Sequence, residues 1–215
     1  MPFEIVASSD QNYQLLSESV ARIGGFVVSS VHENINILIT DVEHMRVLFP
    51  GEYETYKGLI ATGFGLSIGN KPINGSSKHI IIISIENMAA LNFNDSEIDG
   101  VLSHELGHLL NEPEPYTNKK GALLLQYIGG MISPEEYQIQ NEKAIEESEK
   151  YEDNKEFYAD HFSKMLKCKL GLLSSMNKYL AQDVNSNLDR FERRINKINS
   201  DEVFIGKVKQ HIPVN

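Results

Sequence analysis

The stretch that decides the fold is KHIIIISIENMAALNFNDSEIDGVLSHELGHLLN, residues 78–111. Its first part, 78–86, carries isoleucine at 80, 81, 82, 83 and 85 and ends near Asn87. A short β-branched run bounded by polar residues suits a strand better than a free helix. Asn94-Asp95-Ser96-Glu97 then opens a helix, with Asn94 placed to cap it and Glu97 placed to reach back. Ile98, Val101, Leu102, Leu106 and Leu109 follow at helical spacing, and Pro113 and Pro115 stop the helix near Asn111. A strand followed directly by this helix, with more helical sequence beyond, predicts an α+β fold. In it a small twisted sheet packs on the 94–111 helix, and additional helices lie C-terminal to it.

Upstream, apolar stretches at 26–31 and 35–40, separated by His32-Glu33-Asn34, read as two more strands, and Thr40-Asp41-Val42-Glu43 as the opening of a short helix. Glycines at 51, 58, 63, 65, 69 and 75, with Pro72 and Asn74-Gly75, give 51–77 the composition of a loop or irregular hairpin. Downstream, Ser133-Pro134-Glu135-Glu136 combines a capping box with proline at the first helical position. A charged helical stretch runs from there to about Gln182, with a break expected near Asp153-Asn154 or Gly171. Leu188, Phe191, Ile195 and Ile198 share one face of a last amphipathic helix over 185–199.

The chain has 215 residues, 41% of them apolar, enough for one well-buried core and short for two domains. The expectation is a single domain over 1–215, with a core over about 1–182 and a helical extension over about 183–215. Thirty acidic against twenty basic residues give a formal charge of -10, which argues against a nucleic-acid partner. The basic face of the last helix, Arg190, Arg193, Arg194 and Lys197, therefore reads as solvated. The longest apolar run is far short of the roughly 20 residues that cross a bilayer, and the first residues carry no leader pattern. No membrane partner and a cytoplasmic location are expected. The single cysteine, Cys168, excludes an internal disulfide framework and a cysteine-rich zinc ribbon, and reads as a packed, inert thiol.

The helix over 94–111 carries His104-Glu105-Leu106-Gly107-His108. Residues four apart on an α-helix lie about 40° apart in azimuth, so His104 and His108 project together and can bind one cation through ring nitrogens. Zinc suits such ligands. Glu105 sits one step round, where a carboxylate can accept a proton from a water that the cation polarises. From this chain's composition a chance match to the pattern is expected about once in fifty such sequences, so its placement on a helix after a strong strand adds weight.

A catalytic zinc takes three protein ligands and leaves a fourth position open. Glu114, six residues after His108, is one candidate for the third, echoing the extended metzincin pattern with Asn111 at its glycine position. Glu156 is the stronger candidate. In Asn154-Lys155-Glu156-Phe157-Tyr158-Ala159-Asp160-His161, Glu156 and Asp160 are again four apart, so Glu156 can ligate while Asp160 holds a ligand histidine by its other N–H. Asp153, Asp160 and His161 are lesser alternatives as ligand. At these residues the chain resembles the compact gluzincins, similar to the soluble core of HtpX-type peptidases and to the minigluzincins. Their His-Glu-x-x-His, followed after tens of residues by Glu-x-x-x-Asp with alanine before the aspartate, is matched by His104, Glu105, His108, Glu156, Ala159 and Asp160. It also looks like the metallopeptidases that cleave phage-type repressors.

The resemblance spans roughly 78–166 and implies a zincin-like fold and a zinc-dependent endopeptidase acting on peptide or protein substrates with Glu105 as general base. The alternative is a latent or non-catalytic zinc-binding regulatory module, since 111–133 can cover a cleft. Tyr158, His161, Tyr179 and His211 are candidates to stabilise an oxyanion. In the resembled peptidases a strand at the cleft rim pairs with extended substrate, a role for 78–86 or for its partner within 58–68.

Overall fold

The isoleucine run forms the centre of the sheet. The computed structural model describes residues 3–27, 36–61, 63–73, 75–111, 113, 117, 119–182, 188–202 and 204. Strand β4 (Ser76–Ile83) lies between β2 (Ile37–Asp41) and β3 (Gly65–Ile73), with β1 (Phe3–Ile5) on the far side of β2. β1, β2 and β4 run parallel, while β3 is antiparallel to β4, so the sheet is mixed and open with β3 at one edge.

Both faces of β4 are covered. Ile81 and Ile83 pack with Ile37 and Ile39 beneath α1 (Asp10–Val27) and α5 (Asp95–Leu110). Ile80 and Ile82 pack with Leu38 on the other face, against α2 (Met45–Leu48) and α3 (Tyr53–Ile60). Two-sided burial explains why the run does not alternate with polar residues. Each isoleucine so buried contributes roughly 1.5–3 kcal/mol. The result is an α+β molecule, mostly helical around a small sheet.

Several local expectations change. Phe26 and Val27 end helix α1 and do not begin a strand; 28–31 lie outside the described residues. Leu16, Val20 and Ile23 give α1 its core face, and it makes the crossover that the parallel pair β1 and β2 requires. Thr40 and Asp41 end β2, and Asp41 accepts the His44 N–H at 2.9 Å just before α2. In the glycine-rich region 51–77 the first part forms helix α3 in place of a loop, while β3 and β4 make the irregular hairpin expected there, with a register break between Ile68 and Lys71 and a turn in which Gly75 takes φ 81°. Ile85 and Glu86 belong to α4 (Ile85–Ala90) and not to the strand.

The helical half begins with α6 (Lys120–Ile128), which packs on α7 (Pro134–Met165). The capping box at Ser133 and Glu136 starts α7 as expected. Its end comes at 166–168, where Lys167 adopts φ 63°; Asp153 and Asn154 lie within the helix. Gly171 lies inside α8 (Lys169–Leu180) and serves packing instead of breaking it. A Cβ on Gly171 would stand 1.8 Å from the Ser96 carbonyl oxygen, and one on Gly100 2.3 Å from the Leu172 nitrogen, so α5 and α8 cross in backbone contact. The last helix, α9 (Leu188–Asn199), packs on α7 and α8. Helix α5 is thus enclosed by the sheet, α1, α7 and α8. Among the described residues no helix is long and apolar enough to cross a membrane.

Candidate metal centre

Helix α5 delivers the first three site residues from a fixed start. Asn94 Oδ1 accepts the Glu97 N–H at 3.1 Å, and Glu97 Oε2 accepts the Asn94 N–H at 2.8 Å. The Glu97 carboxylate is buried, which opposes its ionisation, yet Lys178 at 2.7 Å, Ser174 at 2.6 Å and Asn94 hold it below its ordinary range. The N-terminus of α5 is therefore tied to α8. Two turns on, the His104 and His108 rings stand edge to face, centroids 4.6 Å apart, with their Nε2 atoms 3.1 Å apart.

Glu156 of α7 closes the group. Its Oε2 lies 3.5 Å from His104 Nε2 and its Oε1 3.6 Å from His108 Nε2. Three donors each about 2.05 Å from a tetrahedral zinc stand about 3.3 Å from one another, so these separations fit such an ion. Two imidazoles and a carboxylate are also a donor set that zinc accepts. Among the described residues, His104, His108 and Glu156 are the grouping of histidine, cysteine and acidic side chains that can hold a metal ion. Asp160 Oδ1 lies 2.8 Å from His104 Nδ1, the place expected of it, and so orients the ring with Nε2 towards His108 and Glu156.

Gly107 explains how α7 comes so near. A Cβ there would lie 2.6 Å from Ala159 Cα and 2.7 Å from Ala159 O, so the two helices touch at the middle of both motifs. Glu156 and Asp160 flank Ala159 by a helical turn and by one residue. Asp153 takes no part in the ligand group and pairs with Arg190 and Arg193 at 3.2 and 2.8 Å. Glu114 lies outside the described residues.

Sequence reasoning missed one residue of the site. Arg194, read as part of a solvated face, is buried against the two motif acids. Its Nε and Nη2 donate to Asp160 Oδ2 and Oδ1 at 2.8 and 2.7 Å, and its Nη1 reaches Glu156 Oε2 at 2.8 Å. A usable signal was present: Arg194 is three residues after Phe191 and four before Ile198, on the flank of the apolar stripe of α9.

The enclosure shifts the charges of the group. Burial and the Arg194 charge both push His104 down, but Asp160 and Glu156 outweigh them and hold it up at about 9. Burial and the neighbouring His104 charge lower His108 to about 3. Burial, with the Glu156 charge adding, raises the Glu105 carboxyl to about 7. Burial opposes ionisation of Glu156 and Asp160 as well, but Arg194 and His104 keep both below the ordinary carboxylate range. The metal-free site thus holds a protonated His104 between two carboxylates, and a carboxyl at Glu105 poised near neutrality.

These residues open on a cleft of about 510 Å³. Its rim is β3, through Gly65, Leu66, Ser67 and Gly69, so the strand at the cleft is the edge strand. β4 is paired on both sides and has no free edge for strand addition. Gly65 lies directly over Glu105: a Cβ there would meet Glu105 Cγ at 2.6 Å and Oε1 at 2.7 Å. On the side of Val101 the cleft has an apolar wall of Leu172, Met176, Tyr179, Phe191 and Phe64. Tyr179 stacks on Phe191 at 4.7 Å and meets Phe64 edge-on at 5.8 Å.

Of the oxyanion candidates, only Tyr179 is among the described residues lining this cleft. The Tyr158 ring packs against Phe204 at 5.8 Å, and His161 is not part of the lining. His211 lies outside the described residues. No described residue of 111–133 lines the cleft. Cys168 packs against the main core, where burial raises its thiol pKa. No protein-family model, curated protein or solved structure matches the chain.

Proposed function

We propose that this chain is a zinc-dependent peptidase of the gluzincin kind, with a zincin-like fold, that hydrolyses peptide bonds in the cleft between β3 and α5. The observation that carries the reading is the convergence of His104, His108 and Glu156 within a few ångströms, with Glu105 on the cleft side beneath an edge strand. His104, His108 and Glu156 would hold the ion. Bound there, zinc supplies a Lewis acid that polarises a carbonyl and acidifies a water.

The chain's own residues account for the remaining chemistry. The side of β3 turned away from β4, unpaired among the described residues, offers backbone groups to an extended peptide, which would align the scissile bond over Glu105. The Glu105 carboxylate accepts a proton from the attacking water and passes it to the leaving amine nitrogen. Burial raises the Glu105 carboxyl in the metal-free site, while the charge of a bound cation would favour its carboxylate form, the form that accepts the proton. Ser67 of β3 lines the cleft with Glu105, and the close approach of Gly65 restrains the carboxylate. The apolar wall beside Val101 suits a substrate side chain that is itself apolar.

The test uses zinc-loaded protein and a quenched-fluorescence peptide library. Wild-type protein is expected to bind one zinc and cleave library members, and Glu105→Gln to bind zinc equally well while losing cleavage. Cleavage by Glu105→Gln at the wild-type rate would sink the proposal.

A further inference from the structure

We infer that Arg194 is a positioning residue of the metal centre, and that through it the seating of helix α9 and the binding of metal are one linked event. The inference rests on the reading of His104, His108 and Glu156 as ligands and concerns what holds them in place.

Arg194 uses the full fork of its guanidinium. Nε and Nη2 clasp both oxygens of Asp160 at 2.8 and 2.7 Å, and Nη1 takes Glu156 Oε2 at 2.8 Å. Asp160 Oδ1, held in this way, also meets His104 Nδ1 at 2.8 Å. One side chain of α9 therefore fixes two of the three ligands. It pins one oxygen of Glu156 and, by way of Asp160, sets the ring of His104. The other Glu156 oxygen, Oε1, remains 3.6 Å from His108 Nε2. A lysine ammonium lacks the planar set of donors that makes three such contacts at once.

Charge gives a second reason. Glu156 and Asp160 are neighbours on one face of α7, out of water, and Glu105 faces them from α5. Arg194 faces these acids together with the His104 ring, and a divalent cation held by His104, His108 and Glu156 would add positive charge at the same place. Removing one partner of a buried charged group leaves the other desolvated and uncompensated, so neither the cation nor Arg194 is dispensable to the other. The rest of α9 is held by Ile198, Phe191 and Ile195 against Leu172 and Met176, with Phe191 stacked on Tyr179 at 4.7 Å, and by Arg190 and Arg193 on Asp153 at 3.2 and 2.8 Å. Arg194 is its buried charged anchor, and by linkage whatever strengthens one event strengthens the other.

The experiment uses the full chain as wild type, Arg194→Gln, Arg194→Lys and, as a control on the same helix, Arg193→Gln. Zinc affinity is measured by competition with a chromogenic chelator, and hydrogen exchange of 188–199 is followed with and without zinc. Arg194→Gln is expected to weaken zinc binding 10- to 100-fold, in the range known for partners that orient metal ligands. Arg194→Lys should fall between it and wild type, and Arg193→Gln should stay within about twofold of wild type, as an exposed partner should. Zinc should protect the α9 amides in wild type and fail to do so in Arg194→Gln. If Arg194→Gln does not fold, Arg194→Lys carries the comparison. Unchanged or tighter zinc binding in the Arg194 variants overturns the inference, as does α9 exchange indifferent to zinc in wild type. A wild-type chain that takes up no zinc refutes the ligand assignment itself and the inference with it.

Discussion

Replacing Gly107 by alanine tests the contact that brings the two motifs together. The new methyl would begin 2.6 Å from Ala159 Cα and 2.7 Å from its carbonyl oxygen, both backbone atoms, and 3.0 Å from Phe162 Cβ. Ordinary carbon contacts lie at about 3.5–4.0 Å, so α7 must retreat by about 1 Å at Ala159. Glu156, one turn away on the same rigid helix, retreats with it. Ligand distances tolerate only about 0.2 Å, so the carboxylate leaves the ion. The stability effect is smaller, because about 1 kcal/mol gained from alanine's helix propensity offsets part of an overpacking cost of about 1–3 kcal/mol. Gly107→Ala should therefore fold, melt within several degrees of wild type without zinc, and bind zinc at least about 100-fold more weakly. Thermal melts with and without zinc give the readout: at about 1,000 times the wild-type dissociation constant, zinc stabilises the wild type by about 4 kcal/mol, and in a variant that binds 100-fold more weakly the same zinc should stabilise by about 1.4 kcal/mol or less. Gly58→Ala in α3, where a Cβ meets nothing within 4 Å, is the control and should keep the full zinc shift. Zinc affinity within threefold of wild type in Gly107→Ala would refute the idea that this contact places Glu156.

Gly65→Ala should push the Glu105 carboxylate aside, since the added Cβ would meet its Cγ at 2.6 Å. Zinc binding is expected to persist while peptide cleavage falls on the order of 100-fold, and an unchanged rate would dismiss the role given to Gly65. Zinc affinity measured between pH 6 and 8 should rise about tenfold per unit: His104, held up at about 9 in the metal-free site, must give up its proton to ligate. A flat profile would contradict that. The same raised value gives the metal-free fold a contribution that is complete below the ordinary 6.5 and lost as pH climbs through 9, visible as a falling melting temperature. Gly171→Ala, with its Cβ 1.8 Å from the Ser96 carbonyl oxygen, should lower the melting temperature by about 6–12 °C or abolish folding, and wild-type stability would count against the α5–α8 crossing.

The parts of the molecule that were legible in the sequence are those governed by local rules. The capping boxes at Asn94 and Ser133 started α5 and α7 where their side chains said they should. The four-residue spacings in 104–108 and 156–160 placed each pair of polar side chains on one helix face, and packing then brought the two faces together. What sequence did not reveal depends on neighbours distant along the chain. Gly65 and Gly171 read as turn or breaker residues and Gly107 as an ordinary helix position, yet each lies in a strand or helix at a point of close approach. Helix α1 was hidden because its glycines and the apolar residues at its end resemble a strand and a turn. Arg194 looked like its exposed neighbours because what buries it, Asp160 and Glu156, is more than thirty residues away.

The edge strand β3 also bears on how copies of this chain behave towards one another. A free sheet edge invites pairing with any extended segment, including the same edge of a second molecule. β3 loses register with β4 between Ile68 and Lys71, and Pro72 follows, with no N–H to donate. Lys71 is drawn off to Glu52 at 2.8 Å, placing a charge beside the irregular half. The part of the edge left regular is Gly65 to Ile68, beside Glu105. It spans only a few residues, so the bulge, Pro72 and the paired Lys71 leave little regular edge for a second molecule to extend the sheet.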